Sequence, residues 1–102
     1  MAGDGVLSAF GYRVGDNGIT RAAKRQLILD HVIEAPIPPL VSKDYTKKWG
    51  RPNTTNRKET LLRTLKGLVS GVNKRRAYMR DSYARAKSHW EQDIEYIQGL
   101  AV

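Results

Sequence analysis

The 102-residue sequence predicts a small, mainly α-helical domain of three to four helices ending in a helical hairpin, with a short N-terminal strand or turn. Three observations carry this. Apolar residues recur at helical spacing from Leu61 to Ile97. A second helical series, Ala22 to Ile33, is cut off by prolines. Capping residues, Thr20, Ser42 and Thr54 to Asn56, stand before the expected helices.

Taken in order, 1–10 is small and glycine-rich, with Gly3 and Gly5, and is expected to be poorly ordered. The domain proper is expected over 11–98, with 99–102 as a tail. Tyr12-Arg13-Val14 has short β character, and Asp16-Asn17-Gly18 reads as a turn because Asn and Gly tolerate positive φ. Thr20 is a good N-cap for a helix from Arg21 to Glu34, whose apolar face is Ala22, Ala23, Leu27, Ile28, Val32 and Ile33. Pro36, Pro38 and Pro39 end that helix and impose an extended linker.

Ser42 can cap a short helix from Asp44 to Trp49, which Gly50 stops and Pro52 follows. Thr54, Thr55 or Asn56 caps the next helix, and Asn56 with Glu59 resembles a capping box. Leu61, Leu65, Leu68, Val72, Met79, Tyr83, Ala86, Trp90, Ile94 and Ile97 then hold one helical phase. One unbroken helix of about 40 residues would be about 60 Å long and would call for a partner helix, hence a homodimer. A break near Asn73 to Asp81, with Asp81 or Ser82 as a new cap, instead gives an antiparallel hairpin that buries both stripes in one chain. The hairpin is the preferred reading. The expected core anchors are Trp49, Leu61, Leu65, Leu68, Tyr83, Trp90 and Ile94. Gly67 and Gly71, a small pair four apart, predict close packing of the first helix across that face, with a partner protein or a phosphate backbone lying there as the alternatives.

Charge is distributed unevenly. Lys43 to Lys87 holds 14 of the 18 Lys and Arg residues against Asp44, Glu59 and Asp81, a local charge of +11 within a chain of net +8. Residues 1–42 balance, and 88–102 is acidic through Glu91, Asp93 and Glu95. So basic a segment repels itself unless an anion lies across it, and nucleic acid is the most abundant cellular polyanion. Opposite the Leu61 stripe fall Arg63, Lys66, Lys74 and Arg85. Arg75, Arg76 and Arg80 add charge at the bend, and Lys47, Lys48 and Arg51 precede it beside Tyr45 and Trp49. These ten cations are the candidate phosphate contacts. The bland reading is that they form only the solvated side of amphipathic helices.

Catalytic and metal signatures are missing. There is no cysteine, so no disulfide, thiolate zinc site or Cys nucleophile. Gly11, Gly15 and Gly18 fit neither dinucleotide nor Walker spacing, and no nucleophile elbow occurs. His89 and Asp93 lie one turn apart, but two ligands do not make a zinc site. No cofactor, no metal and no catalytic residue is expected. Apolar runs are too short for a membrane span and no export signal is read, so cytoplasm is the expected compartment.

An ordered series of residues also resembles a known module. It comprises Gly11-Tyr12-Arg13-Val14-Gly15, Arg25 with Ile28-Leu29, Pro39, Tyr45, Trp49-Gly50-Arg51-Pro52, Arg57, Tyr83-Ala84-Arg85-Ala86 and Trp90-Glu91-Gln92-Asp93-Ile94. The series is similar to a short bacterial module with no assigned activity. That module occurs alone or at the C-terminal end of helicase-like and nuclease-like proteins linked to phage or mobile elements. The resemblance covers about Gly11 to Ile97 and implies a setting near nucleic-acid enzymes. Physically, the same positions read as structural: Trp49 and Trp90 anchor a core, Gly50 and Pro52 set a turn. Asp93 can accept from an indole N–H or pair with an arginine such as Arg57.

The function expected is therefore a non-catalytic accessory module that binds nucleic acid, DNA in preference to RNA, through phosphates. The alternative is a protein-interaction module, a subunit or inhibitor of a nucleic-acid enzyme that docks on an acidic protein surface. Binding to an anionic membrane surface ranks last, for want of an exposed apolar wedge.

Overall fold

The computed structural model describes residues 4–15, 18–37, 47–75 and 82–101. It is mainly helical. Four helices are α1 (Asp4–Ala9), α2 (Ala22–Glu34), α3 (Thr55–Asn73) and α4 (Ala84–Gln98), and 47–49 forms a single helical turn. No strand occurs among the described residues.

The segment expected to be loose, 1–10, instead contributes α1. Val6 and Leu7 are buried in the core, with Tyr12 beside them. The end of α1 explains how so short a helix holds. Gly11 adopts φ +83°, Gly11 N–H donates to Ser8 C=O at 3.0 Å, and Tyr12 N–H donates to Leu7 C=O at 2.9 Å. This is a Schellman closure, in which a left-handed glycine satisfies the last carbonyls and brings Tyr12 onto Leu7. The expected β segment at Tyr12-Arg13-Val14 is thus an irregular exit from that turn. Further on, Gly18 N–H donates to Gly15 C=O and Ile19 N–H to Arg13 C=O. Asp16 and Asn17 of the expected turn lie outside the described residues.

α2 begins one residue later than expected. Arg21, not Thr20, is its N-cap, and no side chain caps it. Thr20 offers its carbonyl to Arg25 at 3.0 Å instead. The C-terminal carbonyls of α2 are satisfied from the α3 side. Arg57 donates to Val32 C=O at 2.7 Å and Ala35 C=O at 2.8 Å, and Asn53 N–H to Ile33 C=O at 2.8 Å. Asn53 does so from positive φ, 59°, which Asn tolerates better than most residues. Gly50, at φ +69°, ends the turn over 47–49 as the sequence predicted. A Cβ there would sit 2.4 Å from Asn56 Nδ2. Ser42, Asp44 and Tyr45 lie outside the described residues.

Thr54 caps α3, its hydroxyl accepting from Arg57 N–H at 3.2 Å, while Asn56 packs against Gly50 rather than forming a capping box. α3 and α4 run antiparallel. The start of α3 meets the end of α4 where Lys58 Nζ donates to Leu100 C=O at 2.6 Å, and Arg75 beyond the end of α3 lies over the ring of Tyr83, the N-cap of α4, at 4.6 Å. The hairpin reading therefore holds, although Tyr83 rather than Asp81 or Ser82 is the cap, and it makes no side-chain cap bond. α2 packs against both helices. Their shared core contains Leu29, Val32, Ile33, Trp49, Leu61, Leu65 and Ile97, with Leu68, Trp90 and Ile94 packed on it. Tyr83 is half-buried under Arg75 rather than in that core.

One packing expectation fails. Gly67 and Gly71 do not receive α2: both are exposed, and a Cβ built at either meets nothing within 4 Å. α2 crosses the opposite side of α3, where Arg57, Leu61 and Leu65 are buried.

Candidate nucleic-acid interface

Two arginines that the charge count would assign to the surface are wholly internal. Arg25 Nε reaches both oxygens of Asp93, at 3.2 and 2.9 Å. Its Nη1 donates to Ile19 C=O and Thr20 C=O, and its Nη2 to Gln92 Oε1. Tyr12 O–H donates to Oδ2 of the same carboxylate, the oxygen nearer Arg25 Nε, and Gly15 N–H donates to His89 Nδ1 at 3.2 Å. α4 thereby ties down the N-terminal loop and α2 through one carboxylate. Burial pushes the Asp93 carboxyl above its usual range, against the pull of its bonds from Tyr12 and Arg25. The Tyr12 phenol is pushed up strongly, first by burial and then by the carboxylate it faces. Asp93 thus pairs with Arg25, neither with an indole nor with Arg57.

Arg57 has no carboxylate. It donates to four backbone carbonyls: Val32, Ala35, Trp49 and Gly50. Three of these donations end helical segments, where the backbone dipole is negative and a cation is favoured. Burial pulls this guanidinium below its ordinary pKa. No described buried side-chain nitrogen or oxygen is left without a partner. Eight positions of the resembling series, Tyr12, Gly15, Arg25, Trp49, Gly50, Arg57, Gln92 and Asp93, are members of these two networks. Their roles are architectural.

Other described cations lie on the outer surface. α3 at about 100° per residue puts Arg63, Lys66, Ser70 and Lys74 within an arc of about 80°, opposite Leu61, Leu65 and Val72. All four are exposed, as are Gly67 and Gly71 among them. Lys47, Lys48 and Arg51 are exposed at the N-terminal end of the helix, where Lys48 C=O accepts from Thr60 Oγ1 at 3.2 Å. Arg75, at the other end, is exposed and stacks on Tyr83. Glu59, with Leu62, Arg63 and Lys66, lines a shallow depression of about 310 Å³ and is the acid among this set. Arg85 is not part of the row. It opens on a separate depression of about 650 Å³, shared with Thr20, Ser82, Ala84, Ser88, His89 and Gln92. Arg76 and Arg80 lie outside the described residues. Lys58, absent from the expected contacts, has its ammonium committed to the C-terminus of α4.

Trp49 is 2% exposed and is no stacking platform. Among the described residues no group of three His, Asp or Glu could hold a metal ion, and no helix is long and apolar enough to cross a membrane. The chain matches no family model, no curated protein and no solved structure.

Proposed function

We propose that this domain is an accessory, non-catalytic nucleic-acid-binding module that contacts phosphates through the outer face of α3 and the turn before it. The observation that carries the reading is the exposed row Arg63, Lys66 and Lys74. Lys47, Lys48 and Arg51 extend it at one end and Arg75 at the other. Six of these seven make no bond that stabilises the fold through their charge, while the basic residues that do, Arg25, Arg57 and Lys58, are turned inward or along the helix ends. A row of cations held on one rigid helix repels itself in isolation and is relieved by a polyanion, with release of that polyanion's counterions. The setting implied by the resemblance agrees with this reading.

The test is fluorescence anisotropy of labelled DNA titrated with the domain at about 50 and 200 mM salt. Micromolar or tighter binding that weakens by orders of magnitude across that range is expected. No binding at the lower salt would sink the reading and leave an acidic protein as the partner to seek.

A further inference from the structure

Resting on the reading above, we infer that the occupant of the α3 face is the backbone of a double-stranded nucleic acid, lying against Gly67 and Gly71 between Arg63, Lys66 and Lys74, and not a single strand held by base stacking.

The first argument is the absence of a stacking platform. Proteins that hold single strands without sequence preference combine positive charge with exposed aromatic faces. Among the described residues every aromatic is covered to some degree. Trp49 and Tyr12 are buried at 2% and 5% exposure, and Phe10, Trp90 and Tyr96 are half-buried against the core. Tyr83 carries Arg75 over its ring. Among the described residues the exposed large apolar side chain is Leu27, on α2. Tyr45 and Tyr78 lie outside the described residues.

The second argument is charge complementarity over a fixed length. α3 has 19 residues, about 28 Å of rigid helix. Its outward cations from Arg63 to Lys74 cover about 16 Å of it. A duplex presents roughly one phosphate charge per 1.7 Å of axis in a stiff array, a denser and better-ordered match for a rigid row than a flexible strand.

The third argument is relief. Gly67 and Gly71 leave the helix backbone bare between Lys66 and Lys74 along the axis, about 20° and 60° to one side of the cationic row, with open space where a Cβ would stand. Among the described residues no neighbouring element approaches them, so their cost to helix stability has no return there. Against a duplex, the bare strip lets the backbone come close beside Arg63, Lys66 and Lys74, which then reach its phosphates from that side.

The experiment is a parallel titration of a blunt duplex and its single strand with wild type, Gly67→Leu and the Arg63→Ala/Lys66→Ala/Lys74→Ala variant, with melting curves of each. Expected is duplex binding tighter than single-strand binding by about tenfold or more, since only the duplex supplies the dense array. Gly67→Leu should melt at or above the wild-type temperature yet lose duplex affinity by about tenfold or more, because the added side chain meets only the partner. The triple variant should flatten the slope of log affinity against log salt by about 2.7, near 0.9 for each phosphate released. Equal or tighter binding of the single strand, or full duplex affinity in Gly67→Leu, overturns this inference while leaving the module a nucleic-acid binder. Failure of wild type to bind either form removes both readings.

Discussion

Arg25 and Asp93, 0% and 1% exposed, show what the interior asks of its charges. Two opposite charges deprived of water are tolerable because each nitrogen of the guanidinium finds an acceptor and the carboxylate takes a further bond from Tyr12. Removing one partner leaves the other charge stranded. Asp93→Leu or Arg25→Met should each lower unfolding free energy by about 3–5 kcal/mol, whereas the double variant Arg25→Met/Asp93→Leu should lose less than the sum of its parts. Urea unfolding of the four proteins checks this, and strict additivity would contradict the pairing. The phenols give a pH signature. Tyr12 and Tyr96 both donate to carboxylates, and the Asp30 bond pushes Tyr96 up to about 12. The folded chain therefore keeps protons that the unfolded chain surrenders near pH 10. Stability is full below that pH and falls as pH rises through the window up to about 12. A spectrophotometric titration should show two phenols lagging in the native protein and none in denaturant; Tyr96→Phe should remove one of the laggards.

Among the elements, the long ones were legible and the short ones were not. The 3.6-residue recurrence of Leu61, Leu65, Leu68 and Val72 placed α3, and Gly50 and Pro52 marked the turn before it. α1 was missed because six residues give too little periodicity to count, and what holds it is the left-handed closure at Gly11 together with burial of Val6 and Leu7. The buried arginines were partly readable. Arg25 precedes Leu29 and Val32, and Arg57 precedes Leu61 and Leu65, all at helical spacing, so both guanidiniums stand in the apolar phase. Charge counting alone treats them as surface. Which acceptors they find is set by the tertiary approach of α2, α3 and α4, about which local spacing is silent. The glycines of α3 and of the turn should respond in opposite ways. Gly71→Ala, with open space around it, should stabilise the domain by about 0.5–1 kcal/mol. Gly50→Ala should destabilise it, because φ is +69° and Asn56 Nδ2 occupies the place of the new methyl. Thermal melts of the two variants decide this, and a loss in Gly71→Ala would mean that something covers that face in the isolated domain.

Over the whole molecule, the basic segment is sorted into two uses. Among its described residues Arg57 and Lys58 fasten helix ends, while Lys47, Lys48, Arg51, Arg63, Lys66, Lys74 and Arg75 are exposed along α3 and at its two ends. The sequence excess from Lys43 to Lys87 suggests an anionic partner as a class, but the count includes Arg57 and Lys58, which bond backbone carbonyls, and of the candidate contacts Arg85 faces a different depression. Among the described residues every aromatic is covered to some degree, which favours phosphate contact over base stacking in the proposed role. The central claim is about place, so the most direct test is a residue-resolved one. Backbone amide shifts of isotope-labelled domain would be followed as a short DNA duplex is added at low salt. Shifts concentrated at 47–51, Arg63, Lys66, Gly67, Ser70, Gly71 and Lys74 are predicted. Shifts centred on Thr20, Arg85 and His89, or none at all, would contradict the account.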